Sequence, residues 1–89
     1  MKIRYYVRRA GQQFLVLREG KAQGMHGSLQ RAVESASFMG SIEANRMRAT
    51  VDLFVEDAGG RLMLEHVIEP AAPGMAIARL VGDVDPAWT

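Results

Sequence analysis

Few side chains in this sequence have chemistry to offer: His26 and His66, the hydroxyls of Ser28, Ser35, Ser37 and Ser41, and the carboxylates of Asp52, Glu56 and Glu65. A zinc site takes three or four nitrogen, sulfur or oxygen ligands. The chain of 89 residues has no cysteine and only these two histidines, and no carboxylates are spaced beside both. His66 is expected as an ordinary strand residue and His26 as a solvated one in a loop. The serines have no base placed in sequence to activate them and no nucleophile elbow around them. Paired carboxylates can share acid–base work, yet beside so many arginines the simpler fate of Asp52, Glu56 and Glu65 is ion pairing. Gly20, Gly24 and Gly27 lack the spacing of a dinucleotide fingerprint and the parallel βαβ unit it requires. The chain therefore reads as a non-enzyme, with no catalytic residue, no metal, no cofactor and no evident small-molecule substrate.

Binding is the better prospect. Lys2, Arg4, Tyr6 and Arg8 fall on alternate positions of the first strand-like run, with Arg18 expected nearby on the second. Basic side chains with an interleaved aromatic suit phosphates and unstacked bases, so nucleic acid is one candidate partner. A solvated strand face is usually charged in any case, and lysine and arginine at a sheet edge discourage aggregation. The net charge of +1 conceals a division: residues 1–48 carry +6 and residues 49–89 carry −5. Either the first half offers a basic face, or the two halves pair with each other.

The elements that must position these groups follow from periodicity. KIRYYVRR (2–9) alternates, with Ile3, Tyr5 and Val7 on one side, as a half-buried strand does. Ala10-Gly11-Gln12 turns the chain into QFLVLR (13–18), a second strand that is apolar on both sides and expected to be the more central. EGKAQGMHG (19–27) reads as a loop. Ser28 is placed to cap a helix over 28–45. Steps of about 100° line up Leu29, Ala32, Val33, Ala36, Gly40, Ala44 and Met47 as a stripe of mostly small residues. Glu43 falls inside that apolar arc, which suggests a bend or fraying beyond Gly40-Ser41. Phe38 and Ile42 fall on the opposite side, where water is expected.

Val51, Leu53 and Val55 alternate with Asp52, Phe54 and Glu56 in a third strand. Asp57-Ala58-Gly59-Gly60 is a hairpin turn, and RLMLEHVI (61–68) is a fourth strand with Leu62, Leu64, His66 and Ile68 alternating. Pro70 stops the ladder, since proline cannot donate and restricts the residue before it. MAIARLV (75–81) has the composition of a short further strand near the C-terminus. Trp88 is the single tryptophan, and it either packs back or reaches a partner.

With 48% hydrophobic and 24% charged residues, this is ordinary globular material. No stretch approaches the roughly 20 apolar residues that span a bilayer, so no membrane partner is expected. The N-terminus has no apolar core of a secretory signal, and a cytoplasmic location is expected. So small a domain without disulfides builds only a thin core, which makes dimerisation a reasonable expectation.

The succession YVRRAGQQFLVLREGKA (6–22), a serine-started helix with RAVESA (31–36), and a strand ending in DAGGRL (57–62) resembles the short bacterial proteins grouped as domain of unknown function twenty-one eighty-eight. The likeness covers residues 4–68. The chain departs from that pattern in Phe14, where a tryptophan is expected, in a longer passage from helix to strand, and in the tail after Pro70. The resemblance implies a bacterial ββαββ fold and carries over no activity and no catalytic residue.

The expectation is thus an α+β domain: a four-stranded, mainly antiparallel sheet with one helix across one face, and a fifth strand near 76–81. Residues 1–69 form its core and 70–89 an extension that packs on the core or on a partner chain. Ile3, Tyr5, Val7, Phe14, Val16, Leu29, Val33, Ala36, Val51, Leu53, Val55, Leu62 and Leu64 are the predicted buried residues. The expected function is a protein-interaction or homodimerising module with Phe38, Ile42 and Trp88 at the interface. The alternative is nucleic-acid binding through Lys2, Arg4, Tyr6, Arg8 and Arg18.

Overall fold

Alternation does what it promises in the first strand. Over β1 (Lys2–Ala10), Ile3, Tyr5 and Val7 are buried while Lys2, Arg4 and Arg8 are exposed. A computed structural model describes residues 1–71 of the chain. The strand expected near 76–81 and Trp88 both lie outside the described residues.

Gly11 takes a φ of 65° and Gln12 a negative one, the pattern of a type II′ turn, and leads into β2 (Gln13–Arg18). The next segment corrects the sequence reading. Residues 19–27 are not a loop: Lys21–His26 is a strand, β3, paired antiparallel with β2. The turn between them is Glu19-Gly20, with φ of 50° and 84°. Positive φ at both central residues is what a type I′ hairpin requires, and its twist matches that of the flanking strands. Gly24 sits within β3, where the ladder with β2 shifts register between Val16 and Leu17.

Ser28 caps the helix as expected, its hydroxyl accepting from the Arg31 amide at 3.2 Å. The helix α1 (Leu29–Met47) then runs 19 residues unbroken, so it does not fray beyond Gly40-Ser41 as Glu43 suggested. It ends where Arg48 turns left-handed, at a φ of 52°, and its amide and that of Ala49 both donate to the Ala44 carbonyl. Strands β4 (Thr50–Glu56) and β5 (Leu62–Ile68) close the described chain as a hairpin. Asp57 builds that turn, its Oδ1 accepting from the amides of Gly59 and Arg61 at 2.8 and 2.9 Å.

The domain is α+β, and among the described residues its sheet has five strands in the order β3-β2-β1-β4-β5, with α1 packed across one face. The sheet is mixed: β1 and β4 run parallel at its centre, and the other pairs are antiparallel. The missed strand explains the misjudged pairing. With two strands before the helix, β4 would return antiparallel to β1. A third strand reverses the direction in which the chain enters the helix, so β4 arrives parallel. β1, and not β2, is the central strand.

Close packing of helix on sheet comes from Ala32, Ala36, Gly40 and Ala44, one ridge at four-residue spacing, all buried. At Gly40 a Cβ would come within 3.1 Å of both Val51 Cγ1 and Ile68 Cδ1. Beneath the ridge lie Ile3, Tyr5, Val7, Val16, Val51 and Leu53, with Phe14, Leu29, Val33, Val55 and Ile68 at the margins. Leu62 and Leu64 do not join this core. The β4–β5 register slips between Leu53 and Phe54, so Leu53 pairs with His66 while Phe54 pairs with Leu64. Glu65 is the extra residue, and it splits what reads as one alternating face into two. His66 and Ile68 share the helix side, whereas Leu62 and Leu64 share the other and stay exposed.

Candidate interaction surfaces

Three constellations emerge, one beneath the helix, one on the far side of the sheet and one on the helix's outer face. The first is a polar cluster around Glu43. This carboxylate is only 7% exposed. Its Oε1 accepts from the Tyr5 hydroxyl at 2.7 Å, and Arg18 Nε donates to Oε1 and Oε2 at 2.9 and 2.7 Å. Arg18 Nη2 also contacts Oε2, so the guanidinium lies side-on along the carboxylate. Tyr5 and Arg18 are register partners on β1 and β2, and the helix lowers Glu43 onto the pair.

The electrostatics agree with that geometry. Hydrogen bonding by Arg18 holds the Glu43 carboxyl below its ordinary 4.5, outweighing the opposing effect of burial, with Tyr5 assisting. Burial first, then the Glu43 carboxylate, pushes the Tyr5 phenol up to about 12. All three groups are satisfied by one another, which is the condition for placing charge in an interior. A cleft of about 250 Å³ opens beside the cluster, between Gln23, Met39, Ile42 and Arg46.

On the sheet's far side the expected basic face divides. Lys2, Arg4, Tyr6 and Arg8 do share that surface, but Arg18 is on the helix side, held by Glu43. Lys2 Nζ lies 3.3 Å from Asp52 Oδ2, and Arg8 Nε lies 3.6 Å from Glu56 Oε1, both across the β1–β4 pair. The Arg9 amide also donates to Glu56 Oε1 at 2.7 Å. That amide first, and then Arg8, holds the Glu56 carboxyl below its usual range. The acids of the second half thus neutralise cations of the first. Asp52 is itself buried, and its Oδ1 has no hydrogen-bond partner among the described residues.

Between these charged rows runs an apolar one. Tyr6 stacks on Phe54 with ring centroids 5.5 Å apart, and their register partners Leu17 and Leu64 extend the band to either side. Leu64 remains 53% exposed. A shallow cleft of about 500 Å³ crosses this surface between Tyr6, Arg8, Leu17, Glu19, Gly20 and Leu62.

The third constellation is on the outer face of α1. Phe38 is 68% exposed and Ile42 47% exposed, one turn apart at the middle of the helix. The other expected interface residue, Trp88, lies outside the described residues. His26 proves to be a half-buried residue of β3, and His66 an exposed one of β5. Among the described residues no three histidine or acidic side chains come close enough to hold a metal ion, and no helix is long and apolar enough to cross a membrane.

Sequence reasoning missed the Glu43 cluster, and the signal was present: a carboxylate inside an apolar stripe implies buried partners as readily as a bend. It missed Asp52 because alternation assigned it to an exposed face. Comparison with known protein families, with curated proteins and with solved structures finds no match.

Proposed function

We propose that this protein is a small non-catalytic interaction module that acts by binding another protein surface, with self-association as its simplest form. The observation carrying this reading is the exposure of Phe38 and Ile42 together on the outer face of the helix. Neither residue belongs to the domain's buried core, and exposed apolar clusters are characteristic of surfaces that meet partners. Glu43, a buried carboxylate, is engaged by Tyr5 and Arg18, which fits a structural role better than acid–base work. The resemblance to the small bacterial proteins with a hairpin–helix–hairpin layout adds no activity to this reading.

Nucleic-acid binding is the second reading. It draws on Lys2, Arg4, Tyr6 and Arg8 sharing one surface next to the Tyr6–Phe54 stack. It is weakened by Asp52 and Glu56, which already engage Lys2 and Arg8 and reduce the charge available for phosphates. Sedimentation velocity of the full chain over a concentration series tests the primary reading. Self-association that Phe38→Ser reduces is the expected result, and a monomer at every concentration contradicts it. Retention on mixed DNA or RNA at low salt, lost on Arg4→Glu with Arg8→Glu, would favour the second reading instead.

A further inference from the structure

The outer helix face carries more than two apolar residues. Glu34, Phe38, Ile42 and Arg46 stand four residues apart, so they form one ridge along α1, and all four are exposed. Read along the helix, the ridge runs acid, apolar, apolar, base. Reversed, it runs base, apolar, apolar, acid, which is its own complement.

Resting on the interaction reading above, we propose that the partner is a second copy of this chain. It docks through an antiparallel, two-fold contact between the α1 helices, centred at the level of Gly40 between Phe38 and Ile42. Residues whose numbers sum to 80 then face each other. Phe38 of each copy meets Ile42 of the other, and Glu34 of each meets Arg46 of the other. A two-fold contact uses the same patch on both subunits, so it needs this kind of self-complementarity. A parallel pairing sets Glu34 against Glu34 and Arg46 against Arg46 and is disfavoured at both ends. Four-residue ridges that interdigitate cross at about −50° with axes about 8–10 Å apart.

Glu34 and Arg46 are exposed, although Arg46 also borders the Glu43 cleft and its charge acts on that carboxylate at longer range. Neither takes part in an ion pair among the described residues, and the one side-chain hydrogen bond of Glu34 there is a long one, 3.5 Å, from Gln30. A ridge of four residues is well below the roughly 20–30 residues a side of a standard interface, so the dimer is a weak, concentration-dependent one.

Charge reversal tests the arrangement, at low ionic strength so that surface charges are not screened. Glu34→Arg alone, or Arg46→Glu alone, places like charges at both ends of the contact and weakens the dimer by about tenfold or more. Mixed one to one, these two single variants become complementary at both ends and form a heterodimer, read by native mass spectrometry or sedimentation. The double variant Glu34→Arg with Arg46→Glu regains homodimerisation. All four positions of the ridge are exposed, and circular dichroism confirms that each variant is folded. If the single variants self-associate like the parent chain, or if their mixture stays monomeric, the ridge contact is refuted while self-association through another surface stands. If the parent chain itself is monomeric throughout, the interaction reading falls with it.

Discussion

Replacing Glu43 by glutamine keeps the shape of the side chain and removes its charge, which isolates what the buried cluster contributes. In the native arrangement one carboxylate receives the Tyr5 hydroxyl and the side-on Arg18 guanidinium. The substituted amide can keep its oxygen toward Tyr5, but its NH₂ then turns a donor toward the donors of Arg18. Breaking a buried ion pair by altering one partner costs about 3–5 kcal/mol where both charges are sealed from water. Here the Arg18 side chain is 35% exposed, so solvent recovers part of that loss, and Glu43→Gln is expected to cost about 2–3 kcal/mol. For a domain of this size that lowers Tm by about 10–20 °C.

Urea unfolding followed by circular dichroism measures it, with the slope unchanged if only stability has moved. The pH dependence supplies a second check. The folded-state pKa of Glu43 is depressed, so its contribution is present above the ordinary 4.5 and is lost as pH falls through the lower folded value. The gap between parent and variant should therefore close in acid. A loss below about 0.5 kcal/mol, the range of ordinary surface changes, would refute the reasoning. So would a gap that stays constant down to strongly acid pH.

Other expectations follow from the same contacts. Tyr5 is raised from 10.0 to about 12, so its stabilisation is complete below pH 10 and declines between 10 and 12, by about 2–3 kcal/mol. Spectrophotometric titration should show a phenol ionising near 12 that Tyr5→Phe removes, and a Tyr5 phenol ionising near 10 would contradict the burial. Gly40→Ala gains about 1 kcal/mol of helix propensity but crowds Val51 and Ile68 at 3.1 Å. Val51 is fully buried and has no room to yield, so overpacking at about 1–3 kcal/mol outweighs the gain. A net loss of about 1 kcal/mol in thermal unfolding is expected, and a stabilised variant would show that the helix rides higher on the sheet. Gly20→Ala places a Cβ at φ 84° in the type I′ turn and should cost about 1–2 kcal/mol, with amide exchange rising first in β3. Unchanged exchange there would contradict the turn assignment.

How legible all this was in the sequence depended on whether a feature is local. The alternation of Ile3, Tyr5 and Val7, the Ser28 cap, the small-residue ridge from Ala32 to Ala44 and the Asp57 turn each depend on neighbours within a few positions. Each was readable. β3 was not, because Ala22, Gln23 and Gly24 have little strand preference of their own and are held by pairing with β2. Glutamate is also an unusual first residue for a type I′ turn, where asparagine or aspartate is the usual signal. Missing that one strand was enough to reverse the direction of β4 relative to β1.

The fate of Glu43 was decided by Tyr5 and Arg18, which lie 38 and 25 residues away along the chain. Local reasoning offered only the conflict between a charge and an apolar arc. The bulge at Glu65 is likewise invisible in RLMLEHVI, since both halves of that run alternate properly and only the partner strand shows where the parity changes. The charge division between the two halves was legible, and at Lys2–Asp52 and Arg8–Glu56 the halves pair across the sheet. The exposed pair Phe38 and Ile42 was legible too, because it depends on helical spacing alone.

The proposed role rests on self-association, and a single light-scattering series addresses it most directly. The mass of the full chain is followed from dilute to concentrated solution, with and without added mixed-sequence nucleic acid. The mass is expected to climb from 9.8 kDa toward twice that value with concentration, equally in both series. A constant monomer mass, or a mass that rises only when nucleic acid is present, would contradict it.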